Sequence, residues 1–180
     1  RFKNKTILFE GAQGVLLDID HGTFPFVTSS NTIPAVAAAS VGIKPSEIGH
    51  ILGVLKSYTT RVGEGPFPTE IKSEIGLEIA KNGNEFGSVT NRPRRCGWFD
   101  AVQCRKAIQI AGIDSIALTK IDVLDNFKKI KICYQYKNGK KKIHFMPSSN
   151  KILNNIKPRY LILDGWRANT IGIKNKKMLP

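Results

Sequence analysis

Three short segments hold side chains whose types and spacing could do chemistry. Thr119-Lys120-Ile121-Asp122 follows the apolar run Ser115-Ile116-Ala117-Leu118. A carboxylate at the end of a strand can accept from both N1–H and the 2-amino group of guanine. Adenine presents an acceptor there and has no 2-amino group, so such a site discriminates through unpaired polar groups. The lysine stem can lie against the base, although a strand-end salt bridge would use the same residues. Arg92-Pro93-Arg94-Arg95 places three arginines within four residues, just after Ser88, Val89, Thr90 and Asn91. Guanidinium forks suit carboxylates and phosphates because they donate two parallel charged hydrogen bonds, and Pro93 stiffens the segment. A solvated basic loop is the alternative. Glu10-Gly11-Ala12-Gln13-Gly14 joins glycines, which permit close backbone approach to a ligand, to an amide that both donates and accepts. It is neither a Walker A segment nor a G-x-G-x-x-G fingerprint, and a plain turn after a strand also needs glycines.

Asp18, Asp20 and His21 could ligate a metal, yet no further ligands join them, and hydrogen-bonded turn residues account for them as well. No metal ligand is assigned. Cys96, Cys104 and Cys133 are odd in number and lack C-x-x-C spacing, which suggests neither a disulfide framework nor a zinc site and fits a reducing cytoplasm.

The elements that must position these groups are read from apolar period and breakers. Residues 6–10 form a β-rich run stopped by Gly11, and Val15-Leu16-Leu17 continues it after a turn. Pro25, Ser29-Ser30-Asn31 and Pro34 break the next stretch before the small-residue helix of 35–41. Residues 48–58 read as a buried strand, 75–80 as a helix, and 84–95 as a loop. Residues 100–111 follow as a helix with an acid at its start, which suits the helix dipole. Residues 115–119 form a strand, and 130–136 with 141–145 form an antiparallel pair around Asn138-Gly139. The alternation predicts an α/β fold with an antiparallel appendage and no internal repeat or clear domain boundary.

The chain has 180 residues, 41% of them hydrophobic and 8% aromatic, enough for one ordinary domain with its own core. No apolar run reaches the roughly 18 residues of a membrane span, and no leader is recognised, so an unexported, non-membrane protein is expected. The net charge of +14 is unevenly spread: residues 1–127 hold 14 basic and 13 acidic side chains, residues 128–180 hold 14 basic and one acidic. A drift towards Lys, Asn and Ile explains this excess better than either a nucleic-acid face, which would bring clustered phosphate contacts, or attraction of anionic substrates.

In order along the chain come Phe9-Glu10-Gly11-Ala12-Gln13-Gly14, Leu17-Asp18-Ile19-Asp20-His21-Gly22-Thr23, Val27-Thr28-Ser29-Ser30-Asn31, Tyr58-Thr59-Thr60-Arg61-Val62-Gly63, Gly65-Pro66-Phe67-Pro68-Thr69-Glu70, Gly83-Asn84-Glu85-Phe86-Gly87, Arg92-Pro93-Arg94-Arg95-Cys96-Gly97-Trp98 and Thr119-Lys120-Ile121-Asp122-Val123-Leu124. Together they strongly resemble the adenylosuccinate synthetase family, densely up to Asp125 and more thinly beyond, where Gly165-Trp166 and Leu179-Pro180 still match. The resemblance implies a partial domain of a P-loop-like GTP-binding fold with a mixed or parallel central sheet. It also implies an enzyme that phosphorylates the 6-oxygen of IMP with GTP and magnesium and then lets the amino group of L-aspartate displace the phosphate.

Residue by residue, the resemblance gives Gln13 a catalytic place at the purine 6-position. It gives Thr28 the IMP 5′-phosphate, Val62 the sugar through its backbone, and Arg92 both the IMP ribose and aspartate. Ser88, Val89, Thr90, Asn91, Arg92, Pro93 and Arg94 become the aspartate loop, with Arg94 also reaching GTP, and Lys120, Ile121 and Asp122 hold guanine. Val89 stands where the family pattern has a hydroxyl, Asn91 where it has glycine, and Ala35-Val36 where it has a glycine pair. The family's phosphate loop, general-base aspartate, catalytic histidine, magnesium ligands and much of a homodimer interface fall before Arg1, and a last guanine-side loop falls after Pro180. The chain alone is therefore expected to be inactive. A guanine-nucleotide phosphohydrolase and a basic nucleic-acid-binding module are the competing readings.

Overall fold

The computed structural model describes residues 5–87 and 92–180. Helix α1, Ala35–Val41, begins at Pro34 and ends at Gly42, as its run of small residues predicts. Helix α2, Glu74–Asn82, carries an acid in its first turn and Lys81 in its last, both favourable to the helix dipole. Helix α3, Ala101–Ala111, is capped by Asp100, whose carboxylate accepts from the N–H groups of Val102 and Gln103 at 3.1 Å. It stops at Gly112, whose φ of +61° is left-handed and open to glycine at little cost. Helix α4 is a single turn, Asn150–Leu153.

Among the described residues eight strands form three small sheets. Strand β1, Leu52–Lys56, runs parallel to β5, Ser115–Thr119, in register from Leu52 opposite Ser115 to Lys56 opposite Thr119. Strand β2, Thr59–Val62, pairs antiparallel with β3, Arg94–Gly97, and this sets Val62 opposite Arg94. In the third sheet β6, Lys129–Asn138, pairs antiparallel with β8, Lys157–Asp164, for most of its length. It also pairs with β4, Phe99–Asp100, in parallel and with β7, Lys141–Ile143, in antiparallel. The architecture is α/β, with parallel and antiparallel pairing as expected.

Among the described residues two cores hold these parts. Tyr58, Ile79, Cys96, Trp98, Leu124 and Phe127 form one, beneath β2, β3 and α2. Val102, Cys133, Tyr136, Met146 and Leu153 form the other, between α3 and the third sheet. The first core reaches the C-terminal part of the chain through Gly165. A Cβ there would lie 1.7 Å from the Phe127 carbonyl oxygen, so only glycine lets this backbone lie so close.

Several expectations are corrected. Residues 6–10 form no strand and are exposed; β-branched and aromatic side chains favour a strand only where a neighbouring strand completes the ladder. Residues 15–17 form a 3-10 turn. The strand expected over 48–58 is confined to β1 and is not buried, with Leu52 57% and Val54 68% exposed. Strand β5 is likewise only half covered. Strand β2 lies beyond the run expected over 48–58, and β3 begins inside the loop expected over 84–95, because their polar residues carry no apolar alternation. Strand β8 was not foreseen, although its apolar centre Tyr160-Leu161-Ile162-Leu163 is a strand-length run.

Candidate functional site

The Thr119 to Asp122 motif straddles the end of β5. Thr119 Oγ1 donates to the Leu55 carbonyl at 2.9 Å, and Ser57 Oγ donates to the Lys120 carbonyl at 2.7 Å. Lys120 is thereby held at a left-handed φ of +58°, a position that costs a non-glycine residue energy and recurs at functional sites. Its Nζ donates to the Gly83 carbonyl at the C-terminal end of α2, where the helix dipole favours a cation. Ile121 and Asp122 open the 3-10 turn Ile121–Leu124. Asp122 is exposed, and among the described residues it enters no ion pair. The strand-end salt bridge is therefore not what this carboxylate forms.

Facing it lies a wall that sequence reasoning missed. An open cleft of about 440 Å³ runs between Lys120, Ile121 and Asp122 on one side and Thr170, Ile171, Gly172 and Ile173 on the other. Asp125 anchors that wall. Its carboxylate accepts from Trp166 Nε1 at 2.6 Å, the Thr170 N–H at 2.8 Å and Thr170 Oγ1 at 2.9 Å. Burial pushes the Asp125 carboxyl up, but these bonds outweigh it and leave the group below its ordinary range. The partners are 41 and 45 residues from Asp125, so no local spacing could have shown them.

The three arginines have separate surroundings. Arg92 is exposed, and its carbonyl accepts from the Gly87 N–H at 2.8 Å. Together with the Phe86–Pro93 bridge, this bond pairs residues 86–87 with residues 92–93. Pro93 is exposed as well. Arg94 NH1 donates to Glu85 at 2.8 Å. Arg95 forms a fork on Glu70 at 2.7 and 2.8 Å and reaches the Gly63 and Gly65 carbonyls, so it braces the protein rather than awaiting a ligand. Ser88, Val89, Thr90 and Asn91 lie outside the described residues.

Glu85 was not singled out from the sequence. Its side chain is buried and accepts from Lys56 Nζ at 2.7 and 2.8 Å, from Arg94 and from the Tyr58 hydroxyl, with Lys120 Nζ at 4.0 Å. Burial would raise its carboxyl, but the bonds from Lys56, Tyr58 and Arg94 bring it below its ordinary value. Burial lowers Lys56 despite the partner carboxylate and raises the Tyr58 hydroxyl, with Glu85 adding to that rise.

Thr28 sits on a loop organised by Asp18, which is fully buried. The Asp18 carboxylate accepts from the N–H groups of Asp20 and His21 at 3.0 Å, Thr32 at 2.6 Å and Ile33 at 3.3 Å, and from the Asn31 amide at 3.3 Å. Burial pushes this carboxyl up, but the donors overcome it and bring it down to about 2. Asp18, Asp20 and His21 are thus parts of a turn. The Thr28 N–H donates to the Leu17 carbonyl at 2.8 Å, so the turn sets the height of Thr28. Arg61, also unforeseen, ties this loop to β2 by donating to Thr23 Oγ1 at 3.0 Å and the Phe26 carbonyl at 3.2 Å. Val62 follows it, exposed, at the end of β2. Gln13 stands exposed at a φ of +61° just before the 15–17 turn.

Asp18→Asn replaces one of the two acceptor oxygens that face four backbone N–H groups with an amide donor and should cost on the order of 2 kcal/mol. Because the folded carboxyl lies below its unfolded value, its stabilisation is present above about pH 4 and is lost as pH falls towards 2. Thermal melts should therefore show a gap between the two proteins at neutral pH that closes on acidification. A gap independent of pH would rule out the ionised role.

Among the described residues no group of three or more His, Cys, Asp or Glu side chains could hold a metal ion. Nor is any helix long and apolar enough to cross a membrane. Burial pushes the Cys96 thiol up to about 11 and those of Cys104 and Cys133 up to about 12, which makes poor nucleophiles of all three.

Known proteins resemble this chain in sequence and fold. Adenylosuccinate synthetase from Ehrlichia chaffeensis is 55% identical over 178 residues, covering 99% of this chain and 41% of that protein. The enzyme of the same name from Thermodesulfovibrio yellowstonii is 52% identical over 176 residues, again 41% of its length. The fully ligated adenylosuccinate synthetase of Plasmodium falciparum superposes with a TM-score of 0.89 at 40% identity, over 93% of this chain and 40% of that one. The fold is therefore the P-loop-like GTP-binding fold of that enzyme, and the chain spans about two fifths of the relatives it matches. The adenylosuccinate synthetase family profile matches residues 1–180, and the chain belongs to that family.

Proposed function

We propose that the full-length protein carrying this chain ligates L-aspartate to IMP at the expense of GTP, giving adenylosuccinate, GDP and phosphate. The observation that carries the reading is a connected path of hydrogen bonds, strand pairing and, at its last step, an ion contact of 4.0 Å. It runs from the Thr28 loop through Arg61 and β2 to β3 and Arg94, then through Glu85 to Lys120 beside the Asp122 cleft. Groups suited to a phosphate, a carboxylate and a guanine thereby stand on one connected scaffold.

In this reading Asp122 accepts from guanine N1–H and the 2-amino group, with Lys120 and Ile121 against the base. Thr28 takes the IMP 5′-phosphate, the Val62 backbone the sugar, and Arg92 the ribose and the aspartate carboxylate. Arg94 serves aspartate and GTP together. Ser88, Val89, Thr90, Asn91 and Pro93 complete the aspartate loop. The Gln13 amide can donate to the purine 6-oxygen as charge gathers there during phosphorylation. Magnesium would neutralise the phosphates, with its ligands in the part of the protein beyond the matched span. That part also supplies the phosphate loop, so the 180-residue chain alone is a specificity half without turnover. A cytoplasmic homodimer completes the proposal.

The test is product formation from IMP, aspartate and GTP by the full-length protein, with Arg92→Lys beside it. Lysine keeps the charge and loses the bidentate fork. The kcat/KM for aspartate should fall at least tenfold, by roughly the 1.4 kcal/mol that corresponds to one decade, while GTP affinity changes less. Unchanged aspartate kinetics would remove Arg92 from the site, and absent ligation would remove the function.

A further inference from the structure

Glu85 is 1% exposed, and its one carboxylate meets cations from three separate parts of the chain. Lys56 Nζ, at the end of β1, lies at 2.7 Å, Arg94 NH1, at the start of β3, at 2.8 Å, and Lys120 Nζ at 4.0 Å. A buried carboxylate with one partner would neutralise one charge; this one stands among three mutually repelling cations and supplies the negative charge between them. Its backbone is fixed as well. The Glu85 N–H donates to the Ala80 carbonyl at 2.9 Å, and the Glu85 carbonyl accepts from the Arg94 N–H at 2.9 Å. The residue therefore belongs at once to the end of α2, to the paired stretch that carries Arg92 and Arg94, and to the surroundings of the Lys120 head group.

We propose that Glu85 is a positioning residue for ligation, its carboxylate setting Arg94 and Lys120 together so that the aspartate side and the guanine side are aligned as one unit. The inference rests on the assignment of Lys120 to guanine and Arg94 to aspartate and GTP. It goes beyond that assignment in naming the group that couples them. Glu85 touches neither substrate in this arrangement and acts through the two cations it holds.

The test uses the full-length enzyme, with Glu85→Gln and the double variant Lys56→Met/Glu85→Gln. The amide keeps the shape and the contact to Tyr58 but leaves three cations without their counter-charge. The KM values for GTP and aspartate should both rise about tenfold, as for loss of a charged hydrogen bond, while the KM for IMP stays within about twofold. The double variant removes one cation with the anion, which restores thermal stability and carries the test if the single variant folds poorly. Its KM values for GTP and aspartate should remain raised, because Arg94 still lacks its acceptor and Lys120 the negative charge 4.0 Å from its Nζ. Wild-type KM values in the double variant would make Glu85 only the counter-ion of Lys56 and overturn the proposal, as would a rise for one substrate alone. An active wild type with unaltered Glu85 variants sinks only this inference; an inactive wild type removes the functional reading on which it rests.

Discussion

Gln13→Gly in the full-length enzyme is expected to lower kcat by roughly 10²–10³, the effect of removing one donor aimed at developing oxygen charge, with the KM for GTP nearly unchanged. Glycine is the informative replacement because Gln13 sits at a φ of +61°. A non-glycine residue pays roughly 1 kcal/mol or more for left-handed backbone, and glycine does not. Gln13→Gly should therefore be at least as stable as the parent while nearly inactive, with a melting temperature held or raised. That split separates a lost catalytic contact from general damage, which would lower both. Strained backbone that an easy substitution would relieve is what a function-bearing position shows. A variant retaining kcat within about threefold would make Gln13 a turn residue and nothing more.

What could be read from the sequence was the part that depends on near neighbours. Helix α1 announces itself by Ala35-Val36-Ala37-Ala38-Ala39 between Pro34 and Gly42, and α3 by Asp100 ahead of good helix formers. The β6–β7 hairpin follows from Asn138-Gly139. The misses share a different cause. Residues 6–10 have strand composition, but no described strand pairs with them, so local preference goes unanswered. Strand β3 is made of Arg94-Arg95-Cys96-Gly97, a run without strand periodicity that becomes a strand because Arg95 is held by Glu70 and Arg94 by Glu85. The site divides in the same way. Lys120 and Asp122 stand two residues apart and make a legible motif, as do Arg92 and Arg94. Their surroundings come from far off in sequence: Ser57, Gly83 and Glu85 around Lys120, and opposite Asp122 the Thr170 wall, which Asp125 anchors across 45 residues. A motif records what would touch a ligand, whereas its supporting contacts are set by the fold and leave no spacing rule behind.

Asp122→Asn should then invert a preference between nucleotides. The carboxylate offers two acceptors to guanine N1–H and the 2-amino group; the amide offers one acceptor and one donor, so a donor comes to face a donor. A polar group left unsatisfied once the base covers it costs about 1–3 kcal/mol, or roughly one to two decades in affinity, and GTP should weaken by that amount. Xanthine carries an oxygen in place of the 2-amino group, and that oxygen can accept from the new amide, so XTP should lose far less or gain. ATP, with neither the N1 donor nor the 2-amino group, should remain poor for both proteins. Because Asp122 is exposed and joins no ion pair among the described residues, the substitution removes no internal brace, and the melting temperature should stay within a few degrees. A destabilised variant would lose GTP and XTP together, whereas altered recognition moves them apart. Parallel titrations of the full-length enzyme with the three nucleotides read the difference directly. Undiminished GTP affinity with no gain for XTP would take Asp122 out of base recognition and leave the cleft beside it without a guanine.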